Sequence, residues 1–311
     1  MNFLPAYLVW AVAGHLANGG AFIIDKMLLR KSFSRPATYA GIVGLLGVFC
    51  FFLLPFVGTV ASLSTWAWIV VSGASFVVAL LCFFSALASG EASRVVPVIG
   101  SLIPILTLAG TAWLLGERLS SIQTFGFLLL IVATFLLSGG SSKSKLTSHT
   151  IFLALLSAFF FAVAFISGKI SYTSTGFLTA FAYARIFGAI TALCILLIDR
   201  SALGEVKKVF FPAATGTPKK KKTEAKKAAI LVLVGQGLGA SGFVLVQYAT
   251  SLGSAAIVNA LQAVQYAFLV LVAFILSKRA SKILNEDLTL STIIRKSIAL
   301  VFVAAGLWLV V

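Results

Sequence analysis

"EASRVVPVIGSLIPILTLAGTAWLLGERLS", residues 91–120, decides how this chain is read. Glu91 and Arg94 stand at one end, Glu117 and Arg118 at the other. The 22 residues from Val95 to Gly116 carry no charge, although Pro97 and Pro104 fall among them. A bilayer core about 30 Å thick is crossed by roughly 20 apolar residues of helix. Lipid offers no partner to backbone N–H and C=O groups, so an open segment can cross only as a helix. The stretch therefore reads as a membrane-crossing helix with a charge fence at each surface.

Composition extends that reading to the whole chain. Of 311 residues, 60% are hydrophobic and 10% charged, with a mean hydropathy of +1.09. A water-soluble domain carries about 25% charged residues, so this surface faces lipid. Cys50, Cys82 and Cys194 all lie in apolar runs and read as small core residues, with neither a disulfide nor a metal site. The first apolar run lacks a basic leader and a small-residue cleavage site, and is expected to be a retained helix. Gly235, Gly237 and Gly239 resemble a dinucleotide fingerprint only loosely, because no strand precedes them.

Ten apolar spans are separated by charged or turn residues, at approximately 4–24, 37–57, 66–88, 93–115, 121–139, 150–169, 176–198, 228–250, 255–277 and 293–311. The expected fold class is thus an all-α integral membrane protein with ten transmembrane helices. The loops after the odd-numbered spans hold 4, 1, 2, 9 and 5 Lys and Arg residues. Against these 21, the loops on the other side hold two, Arg118 and Lys169. Basic loops stay in the cytoplasm, which places both termini outside a cell membrane. The loop 199–227, with "TPKKKKTEAKK", is expected to be an irregular anchor on anionic lipid. Nucleic acid is not an expected partner, since no aromatic interleaving accompanies the charge.

The two halves repeat. "AFIIDK" (21–26) lies over "AFISGK" (164–169), pairing Lys26 with Lys169. "LGERLS" (115–120) lies over "LNEDLT" (284–289), pairing Glu117 with Glu286. The units are 1–140 and 150–311, joined by a linker at 141–149. Five spans is an odd number, so the second copy enters the membrane inverted, an arrangement common in secondary transporters. With this duplication and the "EASRVVPV…LLGERLSSIQTFGFLLL" pattern, the chain resembles the EamA-type family of the drug/metabolite transporter superfamily. The resemblance implies a helical basket around a central cavity, with no cofactor. It also implies alternating access and outward movement of a small polar or amphipathic metabolite, an amino acid for example. It further implies cytoplasmic termini, against which we follow the charge count.

Polar groups deep in the spans are the candidates for substrate contact, because each is costly there without a partner. His15 and Asn18 share one face of the first span with Phe22 and Asp25. His15 reads either as a proton acceptor or as a neutral imidazole held by a neighbouring hydroxyl. Asn259, Gln262 and Tyr266, with Gln265, form a polar face on the ninth span, suited to uncharged or zwitterionic substrates or to gluing helices together. Gln236, Phe243 and Gln247 read as cavity lining on the eighth. Arg185, the one full charge inside a span, reads as an anion anchor or a structural tie. Pro97 and Pro104 read as a hinge, or as static packing, with Ser101 and Thr107 placed to satisfy freed carbonyls. A proton or other ion, if coupled, would use His15 or a boundary acid such as Asp25 or Glu91. With no catalytic or metal-ligand constellation, an enzyme is not expected; a lipid-linked-substrate flippase or a membrane scaffold is the alternative on the same fold.

Overall fold

The computed structural model describes residues 5–28, 35–90, 92–138, 146–210, 219–275 and 290–311, and the side chains of 5–24, 35–90, 94–137, 146–207, 234–235, 237–272 and 291–311. In chain order the helices are α1 (Ala6–Leu28), α2 (Pro36–Leu45), α3 (Leu63–Ser89), α4 (Ala92–Leu115), α5 (Ser121–Ser138), α6 (Ser148–Thr175), α7 (Phe177–Ile198), α8 (Arg200–Phe210), α9 (Lys219–Leu252), α10 (Ala255–Ala260), α11 (Gln262–Ile275) and α12 (Leu290–Val310). No strand occurs among the described residues. Eight segments of the described chain are long and apolar enough to cross a bilayer, and Ser121–Leu137 is a shorter apolar helix.

Three elements differ from the sequence expectation. After Leu45 the second span continues as a 3-10 helix, Leu46–Phe56. The ninth span is broken at Leu261 into α10 and α11. The loop 199–227 is largely helical: it contains α8 and the first residues of α9. The α8 sequence "RSALGEVKKVF" alternates charge with an apolar face. Ala202 and Val206 on that face are buried with Ala37 of α2 and Leu196 of α7.

Asp199 starts α8, its carboxylate accepting from the Ala202 amide at 3.0 Å and pairing with Arg35 at 3.4 Å. These two contacts, the amide first, hold the Asp199 carboxyl below its usual range. The cap is therefore complete above the unfolded carboxyl's pKa of about 4 and is lost as pH falls through the lower folded value. Hydrogen exchange at the Ala202 amide, corrected for intrinsic rate, should keep its protection down to about pH 4 and lose it only as pH falls further, through the lower folded value. Asp199→Asn, whose side-chain oxygen still caps, should keep protection at all pH values.

Most of the packing follows exchanged partners. α1 lies along α9 and α3 along α6, while α5 pairs with α12 and α2 with α7. Small residues bring the axes close. A Cβ on Gly14 of α1 would sit 2.8 Å from the Gly242 carbonyl of α9. A Cβ on Gly126 of α5 would sit 2.9 Å from the Gly306 carbonyl of α12, and the reverse contact is the same. The interior is accordingly rich in fully buried alanine, whereas the outer surface is greasy. Trp113, Ile198 and Trp308 are 84%, 86% and 76% exposed. In water such a surface would be a large apolar patch; in lipid it is the solvated face.

Candidate functional site

The break at Leu261 organises the first group of polar side chains. Ser254 opens α10 by accepting from the Ile257 amide at 3.1 Å, and the helical pattern stops seven residues later. A break frees carbonyls one turn upstream, and the Val258 carbonyl accepts from His15 Nε2 at 2.9 Å. His15 is 5% exposed. The bond to a carbonyl puts the ring hydrogen on Nε2. Nδ1 is then a buried acceptor without a well-formed hydrogen bond, beside Gln265.

Asn259, next along α10, is buried and its Nδ2 donates to Thr107 Oγ1 on α4 at 3.3 Å. Thr107 spends its own hydrogen on the Ile103 carbonyl at 2.7 Å, leaving its oxygen free to accept. One turn on, Gln262 Nε2 donates to the Tyr266 hydroxyl at 3.1 Å. Both face Gly100 of α4, where an added Cβ would lie 3.3 Å from that hydroxyl and 3.8 Å from Gln262 Oε1. Asn259, Gln262 and Tyr266 thus lie on the two halves of a broken helix beside α4, and His15 of α1 meets the first half at Val258.

Arg185 forms a second locus on α7. Its guanidinium carbon lies 4.3 Å from the Phe76 ring centroid, 4.9 Å from Phe243 and 6.0 Å from Phe181. Tyr172 and Cys50 are the titratable side chains near enough to feel its charge. None of these neighbours belongs to α10 or α11. Among the described residues Arg185 meets no carboxylate, and its Nε is buried without a hydrogen-bond partner.

Residues 5–139, from the start of α1 to the end of α5, match the EamA-like transporter family, which is part of the drug/metabolite transporter superfamily. The first half of the chain is thus similar to an EamA-like transporter unit. One solved crystal structure, 14% identical, superposes on 98% of this chain and 96% of its own with a TM-score of 0.63, a likeness of fold. No curated protein matches the sequence.

Within the EamA-like half, both prolines lie inside a continuous α4. Ser101 and Thr107 do not serve the carbonyls that the prolines free. Each donates to its own i−4 carbonyl, Pro97 O at 2.6 Å and Ile103 O at 2.7 Å. Asn18 stands against Gly242 of α9 and is half-buried. The side chains of Gln236, Asp25 and Lys26, and residues Glu91 and Glu286, lie outside those described. Gln247 is buried, its side-chain oxygen without a partner among the described residues, and Phe243 serves Arg185 as an aromatic wall.

Sequence reasoning missed Phe76, Phe181 and Tyr172 around Arg185. In a chain with 27 phenylalanines no spacing marks out the two beside a charge. Thr107 as the partner of Asn259 had a weak signal, a hydroxyl inside an apolar span. Lys169, which the repeat pairs with Lys26, caps the end of α9: its Nζ donates to three carbonyls there, Thr250, Ser251 and Gly253.

Proposed function

We propose that this membrane transporter is a secondary carrier that moves a small polar or amphipathic metabolite, an amino acid for example, mainly outward by alternating access. The observation that carries the reading is the broken helix that bears Asn259, Gln262 and Tyr266, with His15 of α1 bound to its Val258 carbonyl. Discontinuous helices near mid-membrane expose backbone and amide groups that a substrate can use. Uncharged amides both donate and accept, which suits a polar solute in a low-dielectric setting. Gln262 and Tyr266 stand against the bare Cα of Gly100, a contact that an added side chain there would disturb.

We read the chain as ten crossings in two inverted units, adding Ser121–Leu137 and the apolar part of α9 to the eight long spans. The packing supports this. A half-turn exchange of units maps the α1–α9 pair onto α6–α3 and leaves α2–α7 and α5–α12 paired with themselves. With Lys26 over Lys169, Gly14 falls on Ser157, which donates to the Ala79 carbonyl of α3 at 3.1 Å where Gly14 meets Gly242. The charge count places both termini outside. A cysteine introduced at position 2 should react with an impermeant maleimide from outside intact cells, and protection from outside with labelling after lysis would reverse the orientation.

Purified protein in proteoliposomes, screened with radiolabelled metabolites, tests the carrier reading directly. Asn259→Leu removes one interhelical bond worth about 0.6 kcal/mol, so its melting temperature should stay near that of the parent. Its flux should fall at least tenfold. Parental flux in a folded Asn259→Leu protein would remove the broken helix from the transport path.

A further inference from the structure

We propose that Arg185 is the anchor for a carboxylate on the transported molecule, which makes the substrate a small organic acid or zwitterion with an apolar, preferably aromatic, body. This rests on the carrier reading above. A guanidinium keeps its charge at any physiological pH and carries five N–H donors in one plane. Inside a membrane it requires a partner. Here the residue sits about 12 Å of helix from Phe177, the nearer end of α7, and it is fixed there. Gly47 of the 3-10 helix packs on the Arg185 carbonyl, and Gly73 of α3 packs on the Ala184 carbonyl. The backbone that carries the charge is wedged between two helices.

The aromatic neighbours use only part of the cation. Phe76 and Phe243, at 4.3 and 4.9 Å, attract it through their ring faces. They accept no hydrogen bond of ordinary strength from its N–H edge. That edge is unspent: no hydrogen bond or ion pair engages Arg185 among the described residues, and its Nε is buried without a partner. Tyr172 and Cys50, the titratable neighbours, are ordinarily neutral and leave the charge uncompensated.

The ligand chemistry follows. One fixed positive charge calls for one negative charge, and a planar fork of donors fits a planar carboxylate bidentately. Phe76, Phe181 and Phe243 surround the fork with apolar surface, so the favoured acid carries an apolar or aromatic group. A dianionic phosphate would leave a negative charge uncompensated against phenyl rings.

Cys50 lies close enough to Arg185 to feel its charge and provides a readout that does not depend on flux. The protein, with Cys82→Ala and Cys194→Ala, is placed in nanodiscs, and alkylation of Cys50 by N-ethylmaleimide is timed. Phenylacetate, L-phenylalanine, phenylethylamine and inorganic phosphate serve as probes. Phenylacetate and phenylalanine should slow alkylation at least threefold, and phenylethylamine, which lacks the carboxylate, should not. Arg185→Lys, which keeps the charge and loses the fork, should raise the half-protecting acid concentration at least tenfold. Equal protection by the amine, protection by phosphate alone, or no protection by any probe overturns the anchor. So does an unchanged response in Arg185→Lys. Should that variant not fold, the acid–amine comparison on the parent decides. Acid protection in a protein that moves no solute in proteoliposomes upholds the anchor and removes the carrier reading. Flux with no preference for carboxylates does the reverse.

Discussion

Gly73→Val should abolish the folded protein, with a loss of more than about 3 kcal/mol. A Cβ at this position would overlap the Ala184 carbonyl oxygen and come within 2.8 Å of the Gly188 amide nitrogen. Both obstacles are backbone, so no side chain can swing away, and the α3–α7 separation itself would have to grow. Gly47 of the 3-10 helix meets the Arg185 carbonyl in the same manner. The two contacts hold α7 from two directions, and a valine at Gly73 would disturb both. Fluorescence-detected size exclusion after a heating series measures the effect. Gly204→Ala is the control: nothing lies within 4 Å of its would-be Cβ in α8, and alanine in a helix interior should stabilise by about 0.5–1 kcal/mol. A Gly73→Val protein that elutes and melts like the parent would show that α3 and α7 do not touch at this point.

Lys169→Met should be the second large loss. Lys169 Nζ donates to the Thr250, Ser251 and Gly253 carbonyls at 2.9, 3.1 and 2.7 Å. These are the orphan acceptors of the last turn of α9, where the helix dipole also favours a cation. Hydrogen bonds to a charged group are worth about 1.5–3 kcal/mol each. Methionine fills the same volume and donates nothing, so two or three carbonyls would be left dry at the α6–α9 contact. A destabilisation of about 3–4 kcal/mol is expected on that basis. Lys169→Arg, which retains charge and donors, should recover part of it. Thermal melts of the three proteins in one detergent make the comparison. Equal melting temperatures for parent and Lys169→Met would mean that water already serves these carbonyls.

The two predictions rest on residues the sequence treats very differently. The membrane spans were legible because charge is rare here and every cluster of it marks a surface, as Glu91 and Arg118 do around α4. The glycine contacts were not, since Gly73 is spaced no differently from glycines that touch nothing. The break in the ninth span left no local trace. Leu261 is a good helix former flanked by alanine and glutamine, and the freed Val258 carbonyl is answered by His15, 243 residues away. Polar residues in apolar spans singled out His15, which meets the Val258 carbonyl, and Asn259, Gln262 and Tyr266 on the broken helix. The same signal singled out Asn18, which the fold places against α9. What periodicity could not give was the partner: Thr107 for Asn259, or phenyl rings instead of a carboxylate for Arg185. The helix α8 escaped because an eleven-residue amphipathic segment at a surface reads as a charged loop.

The tightly wound stretch Leu46–Phe56 stores length. At about 2.0 Å per residue its eleven residues reach about 22 Å, whereas an ordinary α coil of the same residues would reach about 16 Å. Relaxing it would draw the far end inward by roughly 5 Å and tug on Gly58, whose amide is tied to Thr179 Oγ1 at the start of α7. Phe49, Phe52 and Phe56 are exposed at 62%, 78% and 74% and would turn in fluid lipid, while Gly47 and Cys50 hold the other face of the stretch against the protein. The segment is built like a wound spring lying alongside the helix that carries Arg185.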